Sequence, residues 1–568
     1  MPTIRRLVLF LLPVPVVVSL LIERPALAVD RDDATGMTDQ DDSRRINETP
    51  ASVEGDSQTE GDGLDGAVQP AQYPSATSGM APAPTPTGSG PAAGGTGPQK
   101  KPPVQPWKPL YFDNDFSYKK NPEHDYLFGE EFKDIPLDDF GPLDFLPDPT
   151  RLSAGGEVRM RQMDESNRLR PGAAGRGDYQ LWRWRQYVNL QVSDWLRFYV
   201  EGIDASMDNN RLAVTGIDVN RWDLQNYFFD VRFAEFDDRP VWFRAGRQEL
   251  QYGSQRLVSA LDWANTRRNF EGIKFFTTGK DWDFDLWFTR PVNTATPSDG
   301  PISQFASHFD SANMNHTFSG AWFAYKAVKE QIIDVYWLWD FNSQFTSPAF
   351  AGATNFTGGD RHTLASRWIR HFPVLDGDNV ERTWHGEIEG GYQLGQDFTK
   401  NVNAGFVTVG AGHTWNKLPW QPDFWGYFDY ASGSSNPNGG TTNTFAQQYG
   451  LTHAFFGQID NIARQNIIDY NCKFNVKPTQ QFSFQTQYHY FDLANSHDTL
   501  YTITGAPFGK PNKGTHVGEE IDLVGNYDFT PNVNLQIGYL WFWNGPVVQN
   551  NSPRGTGEQL YVQTTFRY

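Results

Sequence analysis

Arginine recurs at a spacing of two along this chain. Arg159 and Arg161 form one pair and Arg183 and Arg185 another, and Arg197, Arg232 and Arg244 follow within the next sixty residues. In an extended strand, residues i and i+2 project from the same face. Each pair therefore sets two guanidinium groups side by side. A guanidinium stays charged at every physiological pH and grips a carboxylate through two parallel N–H donors. The chemistry this predicts is recognition of a carboxylate-bearing solute. Later segments carry acids on the same plan: Glu387 and Glu389 beside His385, then Asp429, Asp469, Glu520 and Asp522. Together the two sets predict a basic wall facing an acidic wall, with a transverse field between them. Tyr187, Tyr199 and Tyr336 share the same phase and offer ring faces to a sugar. The competing expectation for the arginines is an internal salt-bridge network that only stiffens the fold.

Catalysis has few candidates. Glu387 with Glu389, or His385 with Glu387, would be the acid–base pairs of a hydrolase, but no nucleophile elbow or metal motif accompanies them. No enzyme activity and no cofactor are expected. His308 and His316 are read as solvated loop residues, not metal ligands. The single cysteine, Cys472, excludes an intramolecular disulfide and a cysteine-rich zinc site. A formal net charge of −19 excludes a nucleic-acid partner, which would need clustered Lys and Arg.

The elements that must hold these side chains are short and strictly alternating. Ile468, Tyr470, Cys472, Phe474 and Val476 fall on one face, with Asp469, Asn471, Lys473 and Asn475 on the other. Phe482, Phe484, Tyr488 and Tyr490 repeat the pattern, as do Val533, Leu535, Ile537, Tyr539, Trp541 and Trp543. Aromatics make up 15% of the chain although mean hydropathy is −0.57. Beyond the extreme N-terminus no stretch is apolar for long enough to form a membrane helix. The class is all-β, and the expected architecture is a transmembrane antiparallel β-barrel of about eighteen strands over 151–568. Its apolar rows would face lipid and its polar rows a lumen. Tight turns (Ser193-Asp194, Gly279-Lys280, Thr530-Pro531-Asn532) alternate with long polar loops at 293–311, 345–359, 434–465 and 495–515. A soluble sandwich or propeller would alternate too. Strand length, the terminal Tyr568 and the lack of a blade-length repeat argue against it.

Residues 1–28 read as an export signal, with Arg5 and Arg6, an apolar run from Leu7 to Ile22 and a small-residue site at Ala26-Leu27-Ala28. Pro13 and Pro15 interrupt the run, which disfavours a membrane anchor. Residues 29–106 form a low-complexity, disordered linker rich in Asp, Gly, Ser, Thr, Pro and Ala. Over 107–150 aromatics return beside acids (Tyr111-Phe112-Asp113, Asp138-Asp139-Phe140), which predicts a lead-in packed on the barrel or a partial plug.

Several stretches resemble the alginate-export outer-membrane proteins. They are Leu181-Trp182-Arg183-Trp184-Arg185-Gln186-Tyr187, the run Arg244-Ala245-Gly246-Arg247-Gln248-Glu249-Leu250-Gln251-Tyr252-Gly253, and Gln255-Arg256-Leu257-Val258 with Leu261-Asp262-Trp263. Asn269-Phe270-Glu271-Gly272, His453-Ala454-Phe455-Phe456-Gly457, Asp460 and Arg464-Gln465-Asn466 belong to the same likeness. The resemblance covers about 151–568. It implies an eighteen-stranded barrel in the cell outer membrane and an arginine-rich pore, with lumen roles for Arg159, Arg161, Arg183, Arg185, Arg244, Arg247 and Arg256. The long N-terminal extension and the number of inward acids depart from the family pattern. The expected function is a channel for an anionic, alginate-like polysaccharide or its fragments. The alternatives are a general or sugar-selective porin, and a structural barrel with a closed lumen. Expected partners are that polysaccharide, outer-membrane lipid and, as candidates, periplasmic export proteins.

Overall fold

Alternation over eight or more residues forces one apolar and one polar face on each strand. A sheet built from such strands hides its edges only by closing. The computed structural model describes residues 106–568 except 122–123, 138–146, 148–149, 170–174, 209–213, 215, 294–308, 344–358, 378 and 510–513. The expected export signal and, apart from Pro106, the expected linker lie outside the described residues. Eighteen strands form the barrel. They are β1 (Arg151–Ser166), β2 (Arg176–Ser193), β3 (Leu196–Asp208), β4 (Asn220–Phe236), β5 (Arg239–Gln248) and β6 (Phe270–Thr277), then β7 (Trp282–Asn293), β8 (His316–Tyr325), β9 (Gln331–Asn342), β10 (Gly359–Asp376), β11 (Asn379–Asp397) and β12 (Lys400–Thr414). The last six are β13 (Asp423–Ala431), β14 (Ile467–Val476), β15 (Phe482–Leu493), β16 (His516–Thr530), β17 (Val533–Asn544) and β18 (Gly557–Arg567).

Each strand pairs antiparallel with the next, and β18 pairs back to β1 from Glu157↔Arg567 to Ser166↔Glu558, so the sheet is closed. Tyr568 completes the seam. Its backbone exchanges hydrogen bonds with Gly156 at 2.9 and 3.0 Å, and its hydroxyl accepts from Trp184 Nε1 at 3.0 Å. One end carries connections as tight as 194–195, 237–238 and 531–532, and the other carries the long ones, with 398–399 as a short exception.

The outward rows are apolar and exposed, among them Trp182, Val200, Val335, Leu364, Ile388, Val409, Tyr470 and Leu560. The inward rows are polar and buried. Cys472 shares its phase with exposed Tyr470 and Phe474, in the middle of β14. The change Cys472→Arg is therefore expected to cost about 2–4 kcal/mol in a bilayer, as a cation does on the lipid face near the midplane. The folded fraction in a heat-modifiability gel from lipid vesicles checks this, and Cys472→Val should be silent.

The long connections depart from expectation. Residues 432–466 and 494–509 do not stand outside as polar loops but turn into the barrel, as does the connection 249–269. Leu250, Leu257, Trp263, Phe445, Tyr449, Phe456, Ile459 and Leu500 are all buried there. Val258 bridges Tyr449 and Ile462 bridges Thr502, so the three loops also hold one another. The reason is steric: eighteen strands enclose a space wide enough for water, and apolar loop residues dry it by packing together. Where the first two cross, Gly450 is required, since a Cβ there would overlap the Arg256 carbonyl.

Candidate functional site

Below the apolar loop core lies a belt of charge. Arg159, Arg161, Arg183 and Arg185 are buried on the inward faces of β1 and β2, and Arg244 and Arg247 on β5. Antiparallel register sets Arg159 opposite Arg183 and Glu157 opposite Arg185. Arg183 Nε donates to Glu157 at 2.6 Å and its Nη2 to Asp262 at 2.8 Å. Arg185 Nε donates to Glu201 at 2.6 Å, and Arg244 grips Asp230 bidentately at 2.7 and 2.9 Å. Arg247 donates to Asp223 at 3.2 Å and to the Asp310 carbonyl at 2.6 Å. Arg267, from the loop, pairs with Glu249 and Asp262.

Arg159 and Arg161 differ. Among the described residues no carboxylate lies within ion-pairing distance of either. Arg159 donates to the carbonyls of Asp262 at 2.7 Å and Ala264 at 2.5 Å, and Arg161 to that of Trp263 at 2.8 Å and to Gln563 at 2.9 Å. The Arg161 guanidinium also lies 3.4 Å over the Trp263 ring. Arg268 is a third such cation, donating to the Tyr449 carbonyl at 2.7 Å. Burial pulls it down to about 10, so it remains charged at neutral pH. Three guanidinium groups, those of Arg183, Arg185 and Arg267, share four carboxylates, Glu157, Glu201, Glu249 and Asp262, while Arg159 and Arg161 hold the backbone of the same loop.

The remaining expected site residues are placed as follows. Arg197 lies 3.6 Å from Asp230 and donates to the Phe112 carbonyl at 2.6 Å. Arg232 stands near the turn end of β4, beside a register shift, where it pairs with Glu235 at 2.7 Å and is partly exposed. It is a rim residue. Arg256 reaches across from the 249–269 loop to β11, at 2.7 and 3.1 Å from Glu387 and 2.9 Å from Glu389. Burial opposes its charge, but the two carboxylates outweigh burial and hold it well above the usual arginine range. Asp429 accepts from Arg464 at 2.9 Å.

Separate basic and acidic walls are not what the structure shows. Acids from the same or adjacent strands interleave with the arginines of β1–β5, because unpaired guanidinium groups at this density would repel one another. The acids of β11 are matched by Arg256 and by Arg367, which donates to Glu387 at 2.8 Å. Asp469, Glu520 and Asp522 have no arginine partner among the described residues and are held by His489 and by the backbone N–H groups of Ile459 and Gln458. His385 contacts Thr414 and His371, with Asp423 at 3.5 Å. Glu387 is held by two arginines, so the hydrolase pairing does not form. His316 pairs with Asp340, and His308 lies outside the described residues. Among the described residues no acid–histidine–cysteine group could hold a metal.

Residues missed by the sequence reading include Arg361 and Arg367, which share the inward phase of β10 and were open to the same row argument. Glu249, Asp262, Arg267 and Arg268 sit on irregular backbone, where no periodicity assigns a direction.

The lead-in also enters the barrel. Tyr111 and Phe112 are buried against Tyr187, Tyr199 and Phe228, and a two-residue ladder joins Ile135–Pro136 to Arg151 and Leu152. Lys133 donates to the Ala154 and Tyr568 carbonyls. Burial pulls its ammonium down from 10.5 to about 7, against Glu131. A depressed lysine opposes docking while the undocked form holds the extra proton, and this penalty falls as pH rises between the two values. Docking is thus expected to strengthen as pH rises from about 7 towards 10.5 and to level off below 7. Amide hydrogen exchange of 107–137, corrected for intrinsic rate, checks the trend.

The profile of the family described as Alginate export matches residues 150–562. No curated protein matches the chain. Similar solved structures include OccD3 (OpdP) of Pseudomonas aeruginosa, at 9% identity over 73% of this chain and 91% of that one, TM-score 0.49. A BenF-like porin of Pseudomonas fluorescens Pf-5 matches at 11% identity over 74% and 99%, TM-score 0.49. The outer membrane protein OprD of Pseudomonas aeruginosa matches at 7% over 73% and 94%, TM-score 0.46. With the family profile spanning well over half its length, the chain belongs to the alginate export family and is an outer-membrane β-barrel channel.

Proposed function

We propose that the channel passes an anionic, alginate-like polysaccharide or its fragments, with the arginine belt as its selective element. The observation that carries this reading is the burial inside the barrel of Arg159, Arg161 and Arg268, cations without a carboxylate partner among the described residues. Backbone carbonyls and Gln563 accept from these guanidinium groups but carry no counter-charge, so the belt attracts anions. The paired arginines around them can exchange an internal carboxylate for a uronate carboxylate without losing a bidentate partner. Strain-free exchange of this kind suits a polymer that moves one sugar at a time. The route passes the inward loops, and the 249–269 loop, tied by its carbonyls to Arg159 and Arg161, must yield as the polymer advances.

A second reading rests on the same ion pairs: the arginines stiffen the barrel and the channel is a general or sugar-selective porin. Proteoliposome flux separates the two. The proposal expects oligouronates to cross faster than neutral oligosaccharides of equal length, with the difference shrinking as salt rises. Equal rates at low salt would leave only the porin reading.

A further inference from the structure

The turn-side mouth of the arginine belt holds a ladder of three rings on neighbouring strands. Tyr187 stacks on Tyr199 at 5.7 Å and Tyr199 on Phe228 at 5.2 Å, with interplanar angles of 20° and 19°. Arg244 lies 3.8 Å from the Phe228 ring and Arg197 5.6 Å from that of Tyr199. Rings beside guanidinium groups suit a ring-shaped, carboxylate-bearing residue, because the apolar face of a sugar covers the rings while its carboxylate takes the forks.

That place is filled by the chain itself. Phe112 meets Tyr199 and Phe228 edge-on, at 5.8 and 5.3 Å. Arg185 sits 4.1 Å over Tyr111, and the Tyr111 hydroxyl donates to Glu157. Arg197 caps the Phe112 carbonyl at 2.6 Å and Arg267 the Pro109 carbonyl at 3.0 Å. Asp113 follows at once, and the charges of Arg244, Arg197 and Lys274 favour its ionised carboxylate. A separate stretch ties the segment to the rim. Phe128 packs on Phe566 at 5.4 Å, Asn532 donates to the Phe128 carbonyl at 3.0 Å, and Asp134 N donates to Ser153 Oγ at 2.9 Å. Apart from Lys133, which lies 5.3 Å over the Tyr187 ring, the rim contacts use other residues than the lumen contacts, so 109–113 can leave the belt while 127–136 stays attached.

We infer that residues 109–113 are a built-in occupant of this ring-and-arginine site, presenting two rings and a carboxylate in place of the transported chain and leaving when that chain arrives. The identity of the incoming solute rests on the function proposed above; the occupancy does not.

The test uses the full chain in planar bilayers, with salt alone and then with polymannuronate added on the turn side. Tyr111→Ser with Phe112→Ser removes both anchors. Open probability in salt alone is expected to rise about tenfold, as loss of buried aromatic anchors releases a docked segment. The polymannuronate concentration giving half-block is expected to fall by a similar factor, because the ligand no longer competes with the segment. As a guard against misfolding, Phe112→Cys with Phe228→Cys in a Cys472→Ser background is joined by a short, reducible thiol crosslinker. Current should cease on crosslinking and return on reduction. Unchanged current in salt alone, in both the double-serine and the crosslinked protein, would overturn the inference. Changed current in salt, with no response to polymannuronate in any variant, would retain the occupancy and overturn the uronate reading instead.

Discussion

Replacing Arg159 and Arg161 together with glutamine is expected to lower the anion-to-cation permeability ratio about tenfold, a change that about 1.4 kcal/mol produces. Both groups are buried, and their partners are carbonyls and Gln563, not carboxylates. Removing either therefore deletes a charge that no carboxylate among the described residues pairs with. Two charges within a few ångströms of a passing ion at an effective dielectric near 20 exceed that energy comfortably. Reversal potentials in a salt gradient read the ratio directly. Lysine at both positions keeps the charge and loses the fork, so it should retain most of the selectivity while loosening the Asp262–Ala264 backbone. The paired arginines behave otherwise. Arg244→Gln leaves Asp230 without its bidentate partner, and its main effect should be on stability.

The second large effect is expected at Arg256. Its change to Met strips Glu387 and Glu389 of a shared buried partner, and breaking a buried pair from one side costs about 3–5 kcal/mol. Arg367 still holds Glu387 and Tyr336 still donates to Glu389 at 2.7 Å, which places the expected loss near about 3 kcal/mol. The 249–269 loop should lose its tie to β11, with earlier proteolysis between Leu250 and Arg268 and a lower midpoint in urea. Adding Glu387→Gln and Glu389→Gln should recover much of the loss, since neutral amides do not need the fork. If the triple variant is no more stable than Arg256→Met alone, the pairing is not what anchors the loop.

What could be read from residues alone was everything governed by a period of two. The rows through Arg159, Arg183 and Glu387 fixed inward and outward faces, strand order and closure, since a one-residue slip would turn every side chain over. The loops were not legible in this way. Their polar composition pointed outward, yet Leu257, Tyr449 and Ile462 bury one another across segments far apart in sequence. Charge partners were likewise hidden. Arg183 meets Asp262 and Arg256 meets Glu387 over separations of 79 and 131 residues, distances at which no local pattern speaks. The expectation of two opposed walls failed because each strand's row was considered apart from its neighbours. Glu157 and Glu201 lie in the same rows as the arginines and neutralise part of them. The family likeness marked Glu249, Asp262 and Arg464 as landmarks without giving their roles, which only the folded loops supply.

The account turns on whether this belt handles polyuronate. Its most direct test is single-channel current through the full-length protein, with polymannuronate or a neutral glucan of equal length added on the turn side. The prediction is discrete blockades with polymannuronate, more frequent as its concentration rises and as salt falls, rare with the glucan and lost in the Arg159→Gln, Arg161→Gln protein. Equal blockade by the neutral polymer, or none by the polyuronate, would contradict it.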